Sequence, residues 1–94
     1  MKQRLTFQEH LAVARELNLH RHALEDMYIK LGARFPANVA EDPLRRADRH
    51  INAARSRLED AMFRDCKAEV LAWEQATGRN ACDIYYGDAA EGAT

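Results

Sequence analysis

Between Leu44 and Trp73 the chain runs without glycine or proline, and its apolar residues keep helical spacing: Leu44, Ala47, Ile51, Ala54, Leu58, Met62, Cys66, Val70 and Trp73. Steps of three and four residues stack side chains on one face of an α-helix and scatter them on a strand. Ile51, Met62 and Trp73 stand eleven apart, close to the natural repeat of a straight helix. Asp42-Pro43 supplies a start, a capping side chain followed by proline at the first helical position. Thr77-Gly78 supplies a stop, because glycine takes the left-handed conformation that closes a helix. The spacing predicts one helix over 43–77, about 52 Å long at ~1.5 Å per residue.

An earlier helix is announced by Thr6-Phe7-Gln8-Glu9, in which Thr6 and Glu9 form a capping box. Phe7, Leu11, Val13, Ala14, Leu17, Leu24, Met27, Tyr28, Leu31 and Phe35 follow, mostly at helical steps, with His20 holding the stripe position between Leu17 and Leu24. Phe35-Pro36 ends the pattern, since a residue before proline avoids the α region. This helix is expected over 6–34, about 40 Å long, with Pro36 to Glu41 as the turn. Seventeen of the forty-four apolar residues are alanine, which favours long helices over a thick core. Strand signals are nearly absent, and the fold class is all-α.

A short connection makes the two helices an antiparallel hairpin. The turn sets a register in which Leu24 faces Ile51, Leu17 faces Leu58, Val13 faces Met62, and His10 faces Asp65 and Cys66. Residues 1–78 form this hairpin domain, and 79–94 a short C-terminal tail. Within the tail, Ile84, Tyr85 and Tyr86 are expected to dock on the helices, whereas 87–94, small or acidic, are expected to be disordered. A two-helix hairpin of this size buries little of its surface. Leu19, Ile29, Ala61, Phe63 and Leu71 lie off the main stripes and need a further partner. Self-association into a helical bundle, most simply a dimer, is therefore expected.

A formal charge of −1 and a pI near 6.4 argue against a general nucleic-acid binder. Apolar runs are too short to span a membrane. The start, Met1 to Leu5, has no secretory character, and two cysteines without such a signal read as reduced thiols in the cytoplasm.

Five groups of residues are candidates for a site. Arg45, Arg46, Asp48, Arg49, Arg55 and Arg57 carry a local charge of +4, with Lys30 and Arg34 near the start of the run. Tyr28, Lys30, Arg34, Arg45, Arg46 and Arg49 could thus hold an anion at the turn end, guanidinium forks taking a phosphate and Tyr28 stacking on a base. Leu19, His20, Phe63, Val70, Trp73 and Tyr85 are the expected interface residues. His20 there is a core-facing polar group that sets register or senses pH. The aromatic end around Trp73, Phe63, Val70 and Ile84 to Tyr86 suits a protein partner or internal packing. His10, Asp65, Cys66 and Glu69 are metal-ligand types without metal-motif spacing, and no metal or other cofactor is expected. Enzyme chemistry lacks its parts: Ser56 is mid-helix, no glycine-rich phosphate loop exists, and neither Cys66, facing a helix interface, nor Cys82, in the tail, has an obvious activating base.

The expected function is that of a small non-enzymatic helical protein of bacterial or phage type. It would act as an adaptor, inhibitor or accessory factor, binding itself and another protein. The alternative is an oligomeric binder or sequestering protein for a small phosphorylated ligand such as a nucleotide, at the Arg-rich turn end.

Overall fold

The computed structural model describes residues 4–87 and is all-helical over them. In order the elements are α1 (Phe7–Gly32), α2 (Glu41–Asp65), α3 (Lys67–Thr77) and α4 (Cys82–Tyr86). α1 opens on the capping box: the Thr6 hydroxyl accepts from the Glu9 amide, and the Glu9 carboxylate accepts from the Thr6 amide. These bonds satisfy two main-chain groups that a helix start leaves free. α3 closes on Gly78, whose φ of 69° is the left-handed cap.

The start of α2 differs from expectation. Ala40, not Asp42, is its N-cap, and no side chain caps it. Glu41 and Asp42 fall within the first turn, where negative charge meets the positive helix end. Pro43 sits in that same turn, where its missing N–H has no intrahelical acceptor to lose.

The second long helix is also not continuous. Cys66 (φ −126°, ψ 37°) leaves the helical region and divides it into α2 and α3. No glycine or proline marks the break. Its tertiary cause is α4. The five residues Cys82–Tyr86 return to lie against α1 and α2, and α3 must turn aside to bring them there.

The core is accordingly built around the return of the chain. Phe7, Ala14, Met62, Cys66, Val70, Ala81, Ile84 and Tyr85 are buried, with Leu11, Val13, Leu17, Leu58, Phe63 and Trp73 packed against them. The docking expected of Ile84 and Tyr85 is thus present, whereas Tyr86 is 45% exposed. The expected disorder of 87–94 concerns, beyond Gly87, residues outside those described.

Neighbours across the hairpin run in opposite chain directions: Leu5, just before α1, with Cys66, just after α2, then Arg21 with Asp48 and Tyr28 with Arg45. These pairs are shifted by a few residues from the register implied by the turn, because α2 begins earlier than Pro43. The buried face of α1 is Phe7, His10, Ala14 and Asn18. His20 lies off this face and is exposed, so its expected core position is incorrect. The stripe passes instead to the half-buried Arg21. From residue 19 to residue 54 no side chain is fully buried. The Cα extents of 48 × 33 × 16 Å describe a flat molecule, and its radius of gyration is 15.6 Å. A compact domain of this length has a radius near ~12 Å.

Candidate functional site

At the turn end, Asp42, Arg45, Arg46 and Arg49 stand at i, i+3, i+4 and i+7, which places them on one face of α2. Opposite them is Tyr28 of α1. Together with Asp48 these residues line an open depression of about 460 Å³. The Arg45 guanidinium lies over the Tyr28 ring, 5.2 Å from its centroid, and donates to the Glu41 carboxylate at 3.0 Å. Arg45 is thereby fixed at two points, one aromatic and one anionic. Asp48 turns toward the seam between the helices, with Arg21 Nε at 3.8 Å. Neither Arg46 nor Arg49 has a carboxylate within ion-pair distance among the described residues.

The depression brings together four of the six residues expected to hold an anion: Tyr28, Arg45, Arg46 and Arg49. Lys30 and Arg34 are exposed and do not line it. Asp42 and Asp48 also line it, a feature that a reading of charge runs passes over. Three guanidiniums against two carboxylates leave a formal +1. Such a lining suits a ligand that offers both an anionic group and hydrogen-bond donors, more than a bare polyanion.

A second polar locus ties α4 down. His10 Nδ1 and the Tyr85 hydroxyl lie 2.6 Å apart, both groups buried, with the rings edge to face. Burial lowers the His10 pKa against the opposing pull of Asp65, and burial pushes the Tyr85 phenol up to about 12. Asn18 Nδ2 donates to the Gly87 carbonyl at 2.7 Å. The Arg55 guanidinium sits 4.7 Å from the Tyr86 ring centroid and donates to Asn52. Burial lowers the pKa of Arg55 and raises that of nearby Glu59. Sequence reasoning missed Asn18 and Asn52, and counted Arg55 with the basic run at the turn end, whereas it is buried beside Tyr86. The spacing of Phe7, His10, Ala14 and Asn18 was the available signal, but polar residues on a stripe are easily discounted.

The expected interface residues separate into three sets. Val70 and Tyr85 are enclosed within the chain's own core, at 4% and 0% exposure, and present no surface to a partner. Phe63 and Trp73 are half-buried against that core. Leu19 and His20 face outward. The cluster of metal-ligand types is committed to other contacts: His10 to Tyr85, and Asp65 to Arg64 and Arg4. Asp65 is held below the usual carboxylate range, mainly by the Arg64 hydrogen bond. Among the described residues no three His, Cys, Asp or Glu side chains converge as a ligand set. Among them, too, no helix is long and apolar enough to cross a membrane. Compared with protein families, with curated proteins and with solved structures, the chain gives no match.

Proposed function

We propose that this is a non-enzymatic binding protein, a helical hairpin that works as a homo-oligomer and takes a small phosphorylated ligand at its turn end. The ligand part is carried by one observation, the convergence of Tyr28, Arg45, Arg46 and Arg49 on the depression. Arg46 and Arg49 supply free guanidinium forks for a phosphate. Tyr28 and the guanidinium stacked on it supply a flat surface for a base, and Asp42 accepts from a hydroxyl or amino group. A nucleoside monophosphate has all three features. The adaptor reading draws less support, because Val70 and Tyr85, offered for a protein partner, are enclosed.

Self-association is supported by what the chain leaves uncovered. Leu19, Met27, Ile29, Phe35, Val39 and Leu71 are each 46–62% exposed on a molecule only 16 Å thick. A second copy is the partner that symmetry makes most economical.

Thermal melting in the presence of a panel of nucleoside monophosphates, with inorganic phosphate alongside, tests the ligand. A nucleotide at a hundred times its Kd stabilises by about 2.7 kcal/mol, which for a chain of this size is a rise of roughly 10–20 °C in Tm. That rise should exceed the one given by phosphate and vanish in the Arg45→Ala, Arg49→Ala double variant. A melting temperature unmoved by every nucleotide would refute the ligand reading.

A further inference from the structure

From its sequence the stretch from α2 to α3 is one helix, and in the structure one residue interrupts it. At Cys66 the ladder is intact on both sides: the Cys66 amide donates to the Met62 carbonyl and the Val70 amide to the Cys66 carbonyl, both at 2.9 Å. The three bonds between these, from Lys67, Ala68 and Glu69 to Phe63, Arg64 and Asp65, are not made. No side chain caps the start of α3 in compensation. The residues around the break, Arg64-Asp65-Cys66-Lys67-Ala68-Glu69, include several good helix formers. The break therefore costs main-chain hydrogen bonds, and the docking of the α3–α4 unit is what offsets them.

A second copy offers the same docking without the break. We infer that two chains exchange their α3–α4 units, each Cys66 straightening so that residues 41–77 become one continuous helix. The α4 of each chain then occupies the α1–α2 groove of the other. The occupant of that groove is thus a second copy of this chain, and its fit is already visible within one chain: Tyr85 on His10, Gly87 on Asn18, Tyr86 on Arg55. Exchange keeps these contacts and restores three main-chain bonds in each chain, the usual logic of domain swapping. Glu74 travels with the exchanged unit, since its carboxylate accepts from the Ala81 amide at 2.9 Å and holds α3 to α4. This inference rests on the self-association reading and specifies its geometry.

The test mixes isotope-labelled and unlabelled full-length chains, unfolds and refolds them together, and isolates the dimer. Isotope-filtered nuclear Overhauser spectra then ask whether Tyr85 of one chain meets His10 or Ala14 of the other. Inter-chain cross-peaks are expected. A dimer in which those contacts are confined to one chain would overturn the exchange and leave self-association standing; a chain that stays monomeric at millimolar concentration would overturn both. Hinge variants give a second measurement by sedimentation. Cys66→Ala should favour the dimer and Cys66→Gly the monomer, because alanine and glycine lie at opposite ends of the ordinary helix scale. With two hinges per dimer, their dimer dissociation constants should differ about thirtyfold. Equal constants would count against the straightened hinge.

Discussion

At the scale of residues, the polar groups inside this protein are decisive because so few apolar ones are fully buried. His10 and Tyr85 satisfy each other across 75 positions of sequence. Burial disfavours the imidazolium, so folded His10 holds its proton less tightly than an unfolded histidine with a pKa near ~6.5. Below that value the unfolded chain takes up a proton that the folded chain refuses, and stability falls as the pH drops through the range of an ordinary histidine. The phenol has the opposite limb. Tyr85 is raised to about 12, so above pH ~10 the unfolded chain loses a proton that the folded chain keeps. Stability then falls as the pH rises from about 10 to 12. Tyr85→Phe should cost about 1–3 kcal/mol at neutral pH, because it strands a buried imidazole nitrogen. It should also flatten the alkaline limb. Urea melts at pH 7 and pH 11 measure both effects, and an unchanged alkaline slope in the variant would reassign that limb to other groups.

At the scale of elements, the caps at Thr6 and Gly78 were legible, whereas the start of α2 and the interruption at Cys66 were not. Thr6 with Glu9 and Thr77 with Gly78 are local chemistry, decided within one turn of chain, and sequence specifies such features directly. Cys66 carries no local signal. The kink there is imposed by α4, a segment whose three large apolar residues identify it as something to be buried but do not say where. The buried face of α1 was legible in part, since Phe7 and Ala14 are buried and Leu11, Val13 and Leu17 pack against the core, but its polar members were passed over for a related reason. Leu11, Leu17 and Leu24 outrank His10 and Asn18 on hydropathy, yet α4 brings polar partners that make His10 and Asn18 the buried pair. At the candidate site, residue type and position along one helix were enough to find Arg45, Arg46 and Arg49. The partnership of Arg45 with Tyr28 and Glu41 needed three dimensions. One substitution and one truncation separate local from tertiary effects. Thr6→Ala should cost about 1 kcal/mol through the lost cap. Removal of residues 81–94 takes Ala81, Ile84 and Tyr85 out of the core, and at about 1.5–3 kcal/mol for each large apolar side chain should cost about 4 kcal/mol or more. Urea denaturation followed by circular dichroism should show a modest shift of midpoint for the first and a broad, weakly cooperative transition for the second. A sharp, wild-type transition after truncation would mean that α4 is an accessory to the core.

At the scale of the whole molecule, shape argues for company. A radius of gyration of 15.6 Å and a 16 Å thin dimension leave the turn-end half of α1 and α2 as a pair of helices with no third element over them among the described residues. In that half the depression is walled by side chains of two elements only, Tyr28 from α1 and the others from α2. Folding and association then form a single equilibrium, and melting temperature depends on protein concentration. Unfolding enthalpy scales at about 0.7 kcal/mol per residue near 60 °C, so a dimer of this chain should absorb about 130 kcal/mol. For a dimer melting to two unfolded chains, that enthalpy converts each tenfold rise in concentration into about 4 °C of Tm. Calorimetry from micromolar to millimolar protein should therefore show a steady climb. A concentration-independent melt accompanied by a monomeric sedimentation coefficient would mean that this thin, two-helix half is stable alone, with its apolar side chains left in water.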